Sequence, residues 1–297
     1  MFAAKFSIIS NTILLVLKLL IGFITTSVSI IAEAIHSGID LIASIIANYS
    51  VKKSSMPPDE KHKFGHGKIE NISALIEGVL ILFASYLILH EAYDRIIHKT
   101  QLKIVGAGVG IMFVSAISNF FISKYLFKVA KEVDSAALEA DAWHLRTDVY
   151  TSLGVFICLF LINFVKIKGI EILDPIIAII TAILIIKAGW DISKEAVINL
   201  ADIKLPKEEE ELIKNAINEN SGKFIAFHNL RTRKSGTYKY IDLHLVVSKD
   251  LHIDKAHELT HHLAADIKNK LKNTDVMFHL EPCNSKCEEC KLKCSKH

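Results

Sequence analysis

Two histidine–aspartate pairs of identical spacing carry the chemistry of this chain, His36-Ser-Gly-Ile-Asp40 and His144-Leu-Arg-Thr-Asp148. Four residues turn a helix through roughly 400° and advance it about 6 Å, so each pair lies on one helical face and can share a ligand. Two helices packed at those faces would offer two imidazoles and two carboxylates to one point, a tetrahedral N2O2 set suited to zinc. Buried polar pairs also join membrane helices by hydrogen bonds alone. Two such pairs, each well inside a long apolar segment where ionisable groups are costly, favour a cation site.

The elements that must position them follow from composition and pattern. A chain of 297 residues that is 51% hydrophobic, with a mean hydropathy of +0.34, is too apolar for an ordinary soluble protein and reads as a polytopic membrane protein. The net charge of +3 is small and dispersed, and no nucleic-acid motif is present, which excludes nucleic acid as the expected partner. The first apolar run lacks a small-residue cleavage site and leads straight into the second, so it is read as a retained span.

Apolar runs at about residues 7–29, 30–52, 70–92, 103–127, 137–164 and 172–195 are each long enough to cross roughly 30 Å of hydrocarbon. They predict six transmembrane helices, with the two pairs on the second and fifth. The lysine-rich loop from Lys52 to Lys68, broken by Pro57-Pro58, Gly65 and Gly67, is cytoplasmic by the positive-inside rule, which puts both termini inside. Lys124, Lys128 and Lys131 agree with that orientation, whereas Arg95, Lys99, Lys103, Lys166 and Lys168 lie on the opposite side. Asn11, Lys18 and Glu77 are further polar groups within spans, Lys18 in a structural role, and Cys158 reads as a packing residue.

Membrane-length periodicity ends near Val197, and an αββαβ pattern follows. Helices are predicted over Glu208–Asn220 and Asp254–Lys272, the second opened by an acidic cap. Strands are predicted over Phe224–Thr232, Tyr238–Val247 and Val276–Glu281, the first two joined at Lys234-Ser235-Gly236. The expected fold class is therefore an α-helical membrane protein with six transmembrane helices, followed by a small α+β (αββαβ) cytoplasmic domain. Residues 1–200 are expected to form the six-helix membrane domain, 201–282 the αββαβ domain with its histidines as candidate metal ligands, and 283–297 a Cys-rich tail. Four of the five cysteines, Cys283, Cys287, Cys290 and Cys294, fall in that tail, favouring a reduced metal-facing segment over a disulfide scaffold. A redox-sensitive or lipidated tail is the alternative.

The sequence resembles the cation diffusion facilitator family over nearly its whole length. The resemblance rests on both His-x-x-x-Asp pairs, Phe64-Gly65-His66-Gly67-Lys68, Asp174-Pro175, Leu230-Arg231-Thr232-Arg233-Lys234-Ser235-Gly236 and His279-Leu280-Glu281-Pro282-Cys283. It implies a homodimer in the cell (plasma) membrane, in contact with lipid, that exports a divalent metal from the cytoplasm in exchange for protons by alternating access. The transport site would be His36, Asp40, His144 and Asp148. In this family, His at the first position is associated with preference for zinc over cadmium, so Zn2+ is the expected substrate, with Fe2+, Co2+, Cd2+ or Mn2+ as alternatives. A second site would match Asp59, His62 and His66 in the loop. A third, binuclear site would use His228, His244, His257, His279 and Glu281, where relatives often carry Asp at the last position. Lys68 and Asp202 occupy the positions of a charge pair joining the two parts. The competing classes are a zinc sensor and a membrane-embedded metalloenzyme without transport, the latter lacking a His-Glu-x-x-His motif.

Overall fold

The computed structural model describes residues 2–25, 28–98, 106–164 and 173–283, and within the helices it leaves out some side chains, among them His36 and Cys158. Two compact units are present, Met1–Val197 and Ile198–His297.

The first unit is built from long helices: α1 (Phe2–Thr25), α2 (Val28–Ser54), α3 (Lys68–His98), α4 (Gly106–Val133), α5 (Ala136–Phe164) and α6 (Leu173–Leu200). Among the described residues, three of them, α1, α3 and α6, contain segments long and apolar enough to cross a membrane. α2, α4 and α5 fall outside that set.

Small residues and hydroxyls let these helices approach. Asn11 donates to the Ser44 hydroxyl at 2.8 Å and Ser7 lies 3.0 Å from the same oxygen, tying α1 to α2. Lys18, buried, donates to Ser37 at 2.7 Å, so this lysine has the structural partner expected of it. α4 and α5 join through Ile122, Leu126, Leu138 and Leu145, with Ala4 of α1 in the same cluster. Where α3 crosses α6, a β-carbon on Gly78 would lie 3.2 Å from the Gly189 carbonyl oxygen, tighter than an ordinary contact, so glycine at both positions favours the close crossing. Glu70 ties three helix ends together: its carboxylate accepts from Ser54, at the end of α2, and from Ser135, just before α5, at 2.6 Å each.

The second unit has two layers. α7 (Lys207–Asn218) and α8 (Ile253–Lys270) cover one face of a sheet of β1 (Ala226–Ser235), β2 (Tyr238–Val247) and β3 (Thr274–Pro282), in the order β1-β2-β3. β1 and β2 form a hairpin closed at Gly236, whose φ of +59° a β-carbon would oppose. β3 returns through α8 and pairs parallel to β2, as a helical crossover requires. β2 alternates strictly: Ile241, Leu243, Leu245 and Val247 enter the core with Ile213, Ile217, Leu259, Leu263 and Ile267, leaving His244 on the opposite face. The expected element order is present, with β1 beginning two residues later and ending three residues later than predicted. α8 differs at its start: His252 is the cap, its ring accepting the Asp254 amide, and Asp254 lies inside the first turn.

Candidate metal sites

The first site lies between α2 and α5. Asp40 and His144 come from different helices, and His144 Nε2 stands 3.0 Å from Asp40 Oδ1. Asp148, one turn after His144, contributes a carboxylate oxygen, and one donor atom from each of the three residues lies within 4.8 Å of the others. Asn119 of α4 donates to Asp148 at 3.5 Å, holding that side chain from a third helix. The Nδ1 of His144 is buried without a hydrogen bond. His36 precedes Asp40 by one turn of α2, but its side chain lies outside the described residues. Three of the four expected ligands therefore converge. Sequence alone does not single out Asn119, since a lone Asn in an apolar run gives no spacing signal.

The loop from α2 to α3 forms the second site. Asp59 Oδ1 accepts the backbone amides of His62 and Lys61 at 2.6 and 2.9 Å, while its Oδ2 stands 3.2 Å from His66 Nε2. The His62 amide, foremost among these, holds the Asp59 carboxyl below the usual aspartate range. The His62 and His66 rings are 4.4 Å apart between centroids. His66 is buried, and neither ring nitrogen has an aligned hydrogen bond, although one is near Asp59. An imidazole stripped of water in this way suits a ligand that supplies the missing partner. All three predicted residues meet.

The third cluster is produced by strand register. His228 of β1 pairs with His244 of β2, which pairs with His279 of β3, so three imidazoles stand in a row across the sheet. Ring centroids are 5.2 Å apart for His228 and His244 and 4.7 Å for His244 and His279. Glu281, two residues beyond His279 and on the same face, reaches back: its Oε1 lies 2.7 Å from His244 Nδ1 and 3.9 Å from His279 Nε2, and its Oε2 lies 3.4 Å from His228 Nε2. The longer glutamate thus presents one oxygen to each side of the row. His257 does not join the cluster within one chain. It is exposed on α8, its ring 4.4 Å from that of His261, while Ala256 and Leu259 face the core. The helical layer thus separates it from the imidazole row.

Cys283 is partly buried, and its amide donates to the Val247 carbonyl at 2.9 Å, prolonging the β2–β3 edge. Cys287, Cys290 and Cys294 lie outside the described residues. Asp202 is paired with Arg233 at 3.5 Å inside its own unit.

A bundle of long apolar helices with a buried carboxylate–imidazole set, followed by a small domain bearing a second set, defines a multi-pass membrane protein that handles metal cations. Residues 4–201 match the cation efflux transmembrane domain and residues 205–283 the cytoplasmic domain of cation efflux proteins. The chain belongs to the cation diffusion facilitator family, a family of transporters that efflux metal cations. It is 32% identical over 270 residues to the uncharacterized transporter MJ0449 of Methanocaldococcus jannaschii, covering 91% of this chain and 92% of that one. It is 30% identical over 273 residues to the cation-efflux pump FieF of Serratia proteamaculans, covering 92% and 89%. The metal-bound C-terminal domain of the CzcD transporter from Thermotoga maritima aligns with 26% of this chain and 94% of its own at 23% identity and a TM-score of 0.24.

Proposed function

We propose that this protein exports Zn2+ from the cytoplasm in exchange for protons, through a site made of His36, Asp40, His144 and Asp148. The observation that carries this reading is the meeting of buried Asp40 and His144 with half-buried Asp148, from two helices, their donor atoms within 4.8 Å of one another. Imidazole and carboxylate bind a metal only when deprotonated, so protons arriving from the far side displace the ion. His144 and Asp40 already contact each other at 3.0 Å, which supplies an empty-state partner that zinc replaces. Asn119 orients Asp148 for either state. All six long helices span the plasma membrane, both termini are cytoplasmic, and rocking of the bundle exposes the same ligands alternately to each side.

The protein works as a homodimer. The row of His228, His244 and His279 with Glu281 holds cytoplasmic metal, and His257 of a second copy completes it, since His257 points away from the row in its own chain. The loop set of Asp59, His62 and His66 binds a further ion. Cys283, with Cys287, Cys290 and Cys294, offers thiolates for a soft cation.

Zinc uptake into liposomes carrying the purified protein, with and without a pH gradient, tests the reading. Proton-dependent flux in the wild type that vanishes in Asp148→Ala is expected. Zinc binding with no flux in the wild type would favour a sensor instead, and flux indifferent to pH would favour a channel.

A further inference from the structure

The His-Glu-x-x-His motif that the apolar spans lack is present further along the chain, as His257-Glu258-Leu259-Thr260-His261 on α8. Its two histidines are four residues apart, so they stand one above the other on a single helical face. Ala256, Leu259, Leu263 and Ile267 turn the apolar side of α8 into the core, while His257 and His261 are both exposed to solvent. Their ring centroids are 4.4 Å apart at an interplanar angle of 62°. Among the described residues neither ring takes part in an ion pair or a side-chain hydrogen bond.

The other polar groups of the helix are committed elsewhere. Asp254 lies 3.2 Å from the His252 ring at the start of α8, and Glu258 lies 3.0 Å from Lys255. His262 and Asp266 are 3.0 Å apart, and Asp266 also accepts from Asn220, beyond the end of α7, at 2.9 Å, which gives that pair a structural task. In a zinc peptidase the motif supplies two ligands and a general base, and a third protein ligand completes the site. Here Glu258 is turned to Lys255, and the groups of three or more metal-capable side chains among the described residues do not include this one. What remains is a two-imidazole clamp. Its backbone is already fixed by the core, so little ordering is needed on binding. Nitrogen donors of this kind suit late first-row divalent cations, zinc and copper above all, with water in the remaining positions.

We propose that His257 and His261 of one chain form a divalent transition-metal site on the outside of α8, distinct from the imidazole row of the sheet. Both ligands come from the same helix, so the site needs no second copy. In the dimer reading above, His257 is instead offered to the row of a second copy. That use and the clamp compete for one imidazole, and His261 belongs to the clamp alone.

Pulsed EPR on the full chain in detergent, titrated with Cu2+–iminodiacetate, tests the site. The chelate leaves adjacent coordination positions open, and the remote ring nitrogens count the imidazoles that fill them. The measurement is made in His244→Ala, which breaks the row, so that the result does not depend on the row or on the dimer. A bound copper carrying two imidazoles is expected. Adding His261→Ala, or His261→Gln, should remove that species and weaken copper binding by more than the roughly 10-fold that loss of an outer-shell partner costs. Copper uptake indifferent to His261, or bound copper with a single imidazole throughout, would overturn the proposal. The two-imidazole species in a protein that moves no zinc would sink the export reading while upholding this site.

Discussion

Asp40 on α2 and His144 on α5 meet at 3.0 Å, with the two residues 6% and 4% exposed. The contact joins the two helices that carry the His-x-x-x-Asp pairs and withdraws both groups from solvent. Removing one partner of such a buried pair leaves the other uncompensated, at a cost of about 3–5 kcal/mol.

His144→Ala should therefore do two things at once. Metal-free protein should be markedly less heat-stable in detergent, because Asp40 loses its partner. Zinc affinity at the proposed site should fall by more than the roughly 10- to 100-fold seen when only an outer-shell partner is lost. Titration calorimetry and thermal melts check both, and unchanged affinity would refute the ligand assignment.

Asn119→Leu should weaken zinc binding less than Asp148→Ala does, on the order of 10- to 100-fold, because it frees a ligand's orientation rather than deleting the ligand. Equal losses in the two variants would show that Asn119 does more than orient.

At the loop, the sign of the pH dependence follows from Asp59. Its carboxyl is held below 3.8, chiefly by the His62 amide, so the ionised form is favoured in the folded loop. The ordering it provides is complete above the unfolded aspartate value and is lost as pH falls through the lower folded value. Amide exchange at Lys61 and His62, corrected for intrinsic rates, should be constant from neutral pH down to about 4 and accelerate only below it. Asp59→Ala should show fast exchange throughout.

In the cytoplasmic unit, Glu281→Ala should abolish metal binding at the imidazole row, since it removes the group that touches all three rings. His257→Ala should leave binding within one chain intact and weaken metal-dependent dimerisation. Sedimentation of the full chain in detergent, with and without chelator, separates the two effects.

Gly78→Ala probes the crossing of α3 and α6. The new β-carbon would press on the Ser193 hydroxyl oxygen and stand 3.1 Å from the Ser193 amide nitrogen and 3.2 Å from the Gly189 carbonyl oxygen. A rotating hydroxyl can yield, but the two backbone atoms cannot, so a loss of about 1–3 kcal/mol is expected. Adding Ser193→Ala should recover only part of it in thermal melts.

The local features of this protein were legible in its sequence because they depend on residues a few positions apart. The spacing of His36 to Asp40 and of His144 to Asp148 needs only the pitch of a helix, and the apolar runs locate six long helices to within several residues. Strand alternation and the turn at Gly236 likewise mark β1 and β2. The tertiary structure alone decided which distant groups meet. Helix packing brings Asp40 to His144 and Asn119 to Asp148, and no periodicity encodes those pairings. Antiparallel pairing of β1 with β2 and parallel pairing of β3 on β2 line up His228, His244 and His279 and leave His257 behind the helical layer. Register is set by core packing across long stretches of chain, and a one-residue slip would turn every imidazole to the other face.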